Sequence, residues 1–314
     1  MRLKTAVQSY VQYKQGLGMK FKAERYLLLA FCRSIGDIDI GRVTPVKTWD
    51  FICPQGRQTP VSERKYYALR AFYRFAMARG YACRSPLPAR ITRLPQVLVP
   101  YIYSREELAR LLRLASARYM RAPRIKPAVI HALILLMYGA GLRTGEALGL
   151  NLADVDLENR QIYVRNTKFY KTRLVPLDPD LAQAFGRYLT ERNRRHSVVP
   201  TAPVFVYNKT GARITQQATD HHFRVLCRKA GFGVTGGSPV NPRLHDLRHS
   251  AVVHRVLAWY RAGRDVNALL PKLSTYIGHK DVACTQRYLH LIPELLEEAS
   301  RRFAAHAREV YPHA

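Results

Sequence analysis

The chain has 314 residues, 47% hydrophobic and 23% charged, which suits two domains that each bury a core and excludes a disordered or fibrous chain. Its 51 Lys and Arg against 22 Asp and Glu give a net charge of +29, so a polyanionic partner is expected, nucleic acid first, through phosphate neutralisation and counterion release. An anionic membrane is the competing partner, but it calls for a spanning segment, a lipidation signal or a basic amphipathic helix that the sequence does not offer.

In chain order, the opening "MRLKTAVQSYVQYKQGLG" lacks the apolar h-region of a secretory signal, so a cytosolic protein is expected. Helical spacing of apolar residues predicts helices over Thr5–Gln15, Ala23–Ile35, Pro45–Ile52 and Ser62–Arg79. In the last of these Tyr66, Leu69, Tyr73 and Met77, with Phe72 beside them, form a core stripe. Arg64, Lys65, Arg70 and Arg74 interleave with it, and in so basic a chain they are read as a DNA-facing surface. Four prolines between Ser85 and Ser104 break any helical period and mark an extended linker. Domains are therefore placed at 1–90 and 104–314, with a linker at 91–103.

Ser104 followed by Glu107 is a capping box that opens the second domain with a helix. The apolar run from Ala128 to Leu142 is too short to span a bilayer and contains His131, so it predicts a buried helix near Ala128–Tyr138. "RQIYVRNTKFYKTRLVPL" alternates as strand, turn and strand, with Lys168 on or beside the turn. Apart from a loop at Ala230–Pro242, the remainder is expected to be helical to the C-terminus. The expected fold is mainly α in two domains, the second carrying a small antiparallel β-sheet.

Several features that could carry chemistry do not. "GFGVTGG" (Gly231–Gly237) lacks the Gly-Lys-Ser/Thr ending of a phosphate-binding loop, and the adjacent His221 and His222 point in different directions on a helix. The acidic residues form no cluster for a two-metal nuclease, so neither metal nor other cofactor is expected. The five cysteines, Cys32, Cys53, Cys83, Cys227 and Cys284, include no CxxC pair, and an odd count argues against a disulfide framework.

What remains is a set of cationic, imidazole and phenolic residues. Arg143 in "GAGLRTGEALGL" stands where a glycine-rich turn enters a helix near Thr144, a position that favours an anion; its plainer role is a pair with Glu146 or another surface acid. His245 and Arg248 in "RLHDLRHS" are three apart and share a helical face. His279 follows Gly278 at a helix end, and Tyr288 comes nine residues later (288 − 279). At about 100° per residue an unbroken helix would put those two on opposite faces. Asp281 is a good N-cap for a new short helix over Val282–Leu289, which lets them converge.

Arg143 in "GLRTGEAL", Lys168 in "TKFYKTRLVPL", His245 and Arg248 in "HDLRH", His279 in "IGH" and Tyr288 in "TQRYLH" together resemble the six-residue signature of tyrosine recombinases, the phage integrase family. The N-terminal module resembles that family's core-binding, SAM-like helical bundle, and the tail "LIPELLEEASRRF" resembles the branch found in multi-recombinase mobile elements. The resemblance implies a site-specific recombinase that cleaves and rejoins DNA through a 3′-phosphotyrosine on Tyr288, for integration, excision or transposition. In that scheme Arg143, Arg248 and His279 stabilise the phosphorane, Lys168 protonates the leaving 5′ oxygen and His245 is the acid-base partner. It also implies duplex recombination sites as partner, a homotetramer on two sites, further recombinases in some systems, and a cytoplasmic, nucleoid-associated location. Leu295, Leu296, Ala299, Phe303 and Ala304 form an apolar stripe that packs either on its own domain or on a neighbouring protomer. Two alternatives stand beside the recombinase: a type IB topoisomerase that relaxes a single duplex, and a DNA-binding accessory protein without catalysis.

Overall fold

A computed structural model of the chain describes residues 1–92, 100–117, 124–165, 172–232, 242–279, 281–282, 297, 300–301 and 303–304. It is mainly α-helical with one small antiparallel sheet, and it forms two compact units whose described residues run 1–92 and from 100 onward.

The first unit holds α1 (Leu3–Gly16), α2 (Lys22–Ile35), α3 (Pro45–Ile52) and α4 (Pro60–Ala78). Local chemistry starts the last two: Thr44 accepts the Lys47 N–H ahead of Pro45, and Thr59 and Ser62 cap each other's backbone around Pro60. The helix ends lie within two residues of the expected ones, at positions where first and last turns fray. The core gathers Leu3, Val7, Tyr10, Leu28, Phe31, Tyr66, Leu69, Phe72 and Tyr73. Met77, expected in that stripe, is 39% exposed, and Ala76 occupies the core instead because the inward face has drifted by one residue by the last turn. Lys65 is also diverted from the expected basic surface: its Nζ donates to the Phe51 carbonyl and lies 4.4 Å above the Phe51 ring. Arg64, Arg70 and Arg74 stay exposed. Beyond α4, the Tyr66 hydroxyl donates to the carbonyls of Pro88 and Ala89, and Leu87 and Ile91 pack on the same core.

The second unit begins its packing before its first helix. Tyr103 is fully buried, its N–H donating to Ser250 Oγ at 2.9 Å and its hydroxyl to the Arg243 carbonyl at 3.2 Å. Ser104 and Glu107 form the expected capping box of α5 (Arg105–Ser116). At the centre lies α6 (Pro127–Gly139), apolar on almost every side, against which α5, α7 (Thr144–Gly149), α8 (Pro179–Asn193), α9 (Gln216–Lys229) and α10 (Asp246–Arg261) pack. The last complete helix is α11 (Val266–Ile277), packed on α10.

The sheet is a meander of β1 (Val155–Asp156), β2 (Gln161–Val164) and β3 (Arg173–Pro176), closed at its open end by the pair Val164–Arg173. β1 was not expected, and two residues are too few to show alternation. Residues 194–215, expected to be helical, are irregular: Pro200 and Pro203 stand in this stretch, Gly211 adopts φ +64°, and isolated bridges tie Pro203 to Asn151 and Arg213 to Val206. Lys168, Tyr288, residues 283–289 of the helix expected over Val282–Leu289 and most of loop 230–242 lie outside the described residues. Of the C-terminal stripe, Phe303 and Ala304 are helical and exposed, Phe303 by 75%. Among the described residues no helix is long and apolar enough to cross a membrane.

Candidate active site

The site is assembled at the C-terminal end of α11. A helix leaves its last carbonyls without intrahelical donors, and a buried end must find them elsewhere. Here the backbone reverses through Gly278 at φ +72°, so that the N–H groups of Gly278 and His279 return to Thr275 and Ser274. The next three carbonyls each receive a guanidinium from a different element. Arg173 on β3 donates Nε to Tyr276 at 3.2 Å, Arg248 on α10 donates Nη2 to Ile277 at 2.6 Å, and Arg143 donates Nη2 to Gly278. Three cations thus meet the negative end of one helix dipole.

Glu146 holds the other side of this cluster. It is the third residue of α7, and its carboxylate accepts the Arg143 backbone N–H at 3.0 Å and Arg143 Nη1 at 2.7 Å. Arg173 forks onto both of its oxygens, at 2.9 and 2.7 Å, and Arg248 Nη1 lies 4.0 Å away. Burial would raise the Glu146 carboxyl, but the hydrogen bonds and charge of Arg173, then Arg143, outweigh it and hold the group at about 2. Three arginines against one carboxylate leave this contact set at +2. The surplus suits a dianionic or trigonal-bipyramidal phosphate better than a neutral ligand.

The four described residues of the expected six share this place. Arg143 is the N-cap of α7, presented by the turn at Gly141 (φ +62°), with its side chain 37% exposed. Arg248 is 1% exposed, and its Nη1 also donates to the Gly141 carbonyl, which locks the α6–α7 turn to α10. His245 is the N-cap of α10, one residue ahead of the helix rather than within it. It keeps solvent access at the surface, while the partial burial of its ring and then the Arg248 charge lower its pKa. His279 follows the α11 cap; burial, then Arg248 and Arg143, bring it down to about 4, so the ring is neutral at physiological pH. Lys168 and Tyr288 lie outside the described residues.

Sequence reasoning missed Arg173, His249 and Asp246, and it gave Glu146 only as a minor surface partner of Arg143. The His249 ring stands edge-on to His245, centroids 4.7 Å apart, and burial followed by the charges around it takes it down to about 3. Asp246 is fully buried and accepts the Arg243 backbone and guanidinium, fixing the turn that aims His245. Arg173 had one sequence signal: on β3 it is two residues from the buried Val175 and so shares its face, which places a charge on the inward face of a strand. Beside His245 and Thr144 lies an open cleft of 610 Å³, and α9 presents Gln216, His221, Arg224 and Arg228 to it. Among the described residues no three His, Cys, Asp or Glu lie close enough together to hold a metal ion.

Comparison with known proteins places this geometry. The phage integrase family profile matches residues 104–294. A Sinorhizobium fredii protein, y4rB, an integrase/recombinase by name, is 34% identical over 310 residues, 95% of each chain. Tyrosine recombinase XerD of Brucella abortus is 28% identical over 255 residues, 80% of this chain and 78% of its own. Among solved structures, the Tn1549 transposon integrase in complex with circular intermediate DNA has the same fold, with a TM-score of 0.68 at 17% identity over 96% of this chain and 99% of that one. A lambda integrase dimer bound to a COC′ core site gives 0.60 at 16% identity, covering 90% and 96% of the two chains. A profile spanning more than half of the chain, together with a relative of 34% identity along nearly its whole length, establishes that this protein belongs to the phage integrase family, the tyrosine recombinases.

Proposed function

We propose that the protein is a site-specific DNA recombinase of a mobile element, and that Tyr288 is its nucleophile. The observation that carries this is the convergence of Arg143 and Arg248 on the end of α11, beside His279, which stands nine residues before that tyrosine (288 − 279). The phenol oxygen attacks a backbone phosphorus, the P–O5′ bond breaks, and the Lys168 ammonium passes its proton to O5′. His245 takes up the phenol proton, its lowered pKa suiting a base at neutral pH. Arg143 and Arg248 meet the charge that grows on the phosphorane, and His279 donates to a non-bridging oxygen. One phosphodiester has been exchanged for another of similar energy, so a 5′-hydroxyl from a second duplex can reverse the step without ATP.

The exposed Arg64, Arg70 and Arg74 of α4, and the Gln216, His221, Arg224 and Arg228 face of α9, are the surfaces this function assigns to duplex DNA. A homotetramer on two sites is the corresponding assembly, in a cytoplasmic, nucleoid-associated protein. A groove of 670 Å³ at α6, α10 and α11 is lined by the aromatic Tyr138, Trp259 and Tyr276 and by three basic groups, Arg105, Arg255 and Lys272, against one acidic group, Asp178. Its chemistry complements the acidic, leucine-bearing segment "PELLEE" of a neighbouring protomer.

The test uses supercoiled plasmids that carry one or two copies of the DNA flanking the gene. A recombinase yields deletion or inversion products from the two-site plasmid. Relaxation of both plasmids without recombinant product identifies a topoisomerase instead, and tight binding without any strand breakage an accessory protein.

A further inference from the structure

Tyr103 lies just ahead of α5, yet its hydrogen bonds go to the start of α10, 140 and 147 residues away. The two bonds fall on either side of His245. The Tyr103 hydroxyl donates to the Arg243 carbonyl at 3.2 Å, and its backbone N–H donates to Ser250 Oγ at 2.9 Å. Ser250 Oγ in turn donates to the Asp246 carbonyl at 2.9 Å. Between these two ends the turn is closed on itself. The Asp246 N–H donates to the Arg243 carbonyl at 3.0 Å, and the Asp246 carboxylate accepts the Arg243 N–H and Nη2, both at 2.8 Å. His245 thus sits in a four-residue turn whose first and last members are both tied to Tyr103, and its ring leaves that turn edge-on to His249.

The anchor itself is rigid. The Tyr103 ring is fully buried and meets Tyr101, Phe223 and Phe232 edge-on, so its hydroxyl has a fixed direction. Burial raises the phenol well above its usual value, which keeps the proton on the oxygen as a donor. A hydroxyl buried this deeply is costly unless it is bonded, so the tie to Arg243 is retained rather than exchanged with water.

We propose that Tyr103 is a positioning residue for strand cleavage, which aims the His245 imidazole by fixing Arg243 and Asp246 on either side of it. The proposal rests on the reading of His245 as the group that takes up the nucleophile's proton.

The experiment is a double-mutant cycle. Wild type, Tyr103→Phe, His245→Asn and the double variant are measured in single-turnover cleavage of nicked duplexes from the DNA flanking the gene, with site binding followed by mobility shift. Tyr103→Phe keeps the ring and its aromatic contacts and removes one oxygen. Tyr188→Phe is the control, because the Tyr188 hydroxyl is also buried and donates to a carbonyl, that of Val204 at 2.9 Å, away from the site. Ser250→Ala breaks the second tie and serves should Tyr103→Phe fail to fold. The His245 ring is followed by NMR of histidine-labelled protein, its signal assigned by its loss in His245→Asn. Tyr103→Phe is expected to bind as wild type does and to cleave ~10-fold more slowly, since misplacing a catalytic group by ~1 Å costs up to ~10²-fold. It should add no further loss to His245→Asn, and it should shift the His245 ring signal, which Tyr188→Phe leaves in place. Wild-type cleavage by both Tyr103→Phe and Ser250→Ala overturns the proposal. An equal loss in the wild-type and His245→Asn backgrounds overturns it too and leaves Tyr103 as a packing residue. If His245→Asn cleaves as wild type does, the reading of His245 falls and the catalytic role of Tyr103 with it, whatever the ring signal shows.

Discussion

Replacing Glu146 by Gln removes one negative charge and keeps the shape of the side chain, leaving Arg143, Arg173 and Arg248 around an amide. A carboxyl held at about 2, against the 4.5 from which it starts, corresponds to about 3 kcal/mol at ~1.4 kcal/mol for each tenfold change in proton affinity. Breaking a buried ion pair from one side costs about 3–5 kcal/mol by general experience, so the two figures agree in scale. The assay is urea unfolding followed by Trp259 fluorescence in a Trp49→Phe background, because the chain has 2 tryptophans and these report on separate units. At pH 7 the variant should be less stable by about 3 kcal/mol. Because the folded-state value is depressed, the Glu146 contribution is present above pH 4.5 and is lost as pH falls towards 2, so the two proteins should converge in acid. A difference that persists unchanged at low pH, or is absent at pH 7, refutes the claim that this carboxylate holds the arginine cluster together.

Arg143→Ala should slow covalent DNA attachment ~10²- to 10³-fold in single-turnover assays while leaving site binding nearly intact, since its donors matter most as phosphorane charge develops. Arg248→Ala should do the same and also lower stability measurably by urea unfolding, because its guanidinium is buried and bonded to the Gly141 and Ile277 carbonyls. Combined Arg64→Ala, Arg70→Ala and Arg74→Ala should weaken DNA binding and reduce the slope of log affinity against log salt by ~2.7, if each arginine neutralises one phosphate. Stability of the second unit should also fall as pH drops from 6.5 towards 4, because His279 is held at about 4 and His249 at about 3, both below the unfolded value of 6.5. His249→Asn should flatten that profile, as followed by the urea midpoint across the range.

Much of the architecture was legible because its causes are local. Thr59–Ser62, Ser104–Glu107 and the proline at the first position of α3, α4 and α6 each act within one turn, and helix starts follow them closely. Arg143 at a helix N-terminus and His279 beyond a glycine cap were visible for the same reason. The arginine cluster was not, because its partners are remote in sequence: Arg173 reaches Glu146 across 27 residues and Tyr276 across 103. Only the i, i+3 pair of Arg143 and Glu146 could be read locally, and in isolation it looked like an ordinary surface contact. Lys65 failed for a related reason, since periodicity gives a face but not the neighbour that takes a side chain away from it, and Met77 failed because the inward face drifts by one residue along α4. In residues 194–215, Pro200 and Pro203 speak against the expected helix, but the bridge of Pro203 to the distant Asn151 could not be read locally.

The most direct test of the central claim is covalent trapping on nicked duplexes drawn from the DNA flanking the gene, with wild type and Tyr288→Phe side by side on a denaturing gel. A protein–DNA adduct in the wild type alone, joined at a 3′ phosphate, is the predicted result. An adduct that survives Tyr288→Phe, or tight site binding with no adduct from either protein, contradicts Tyr288 as the nucleophile.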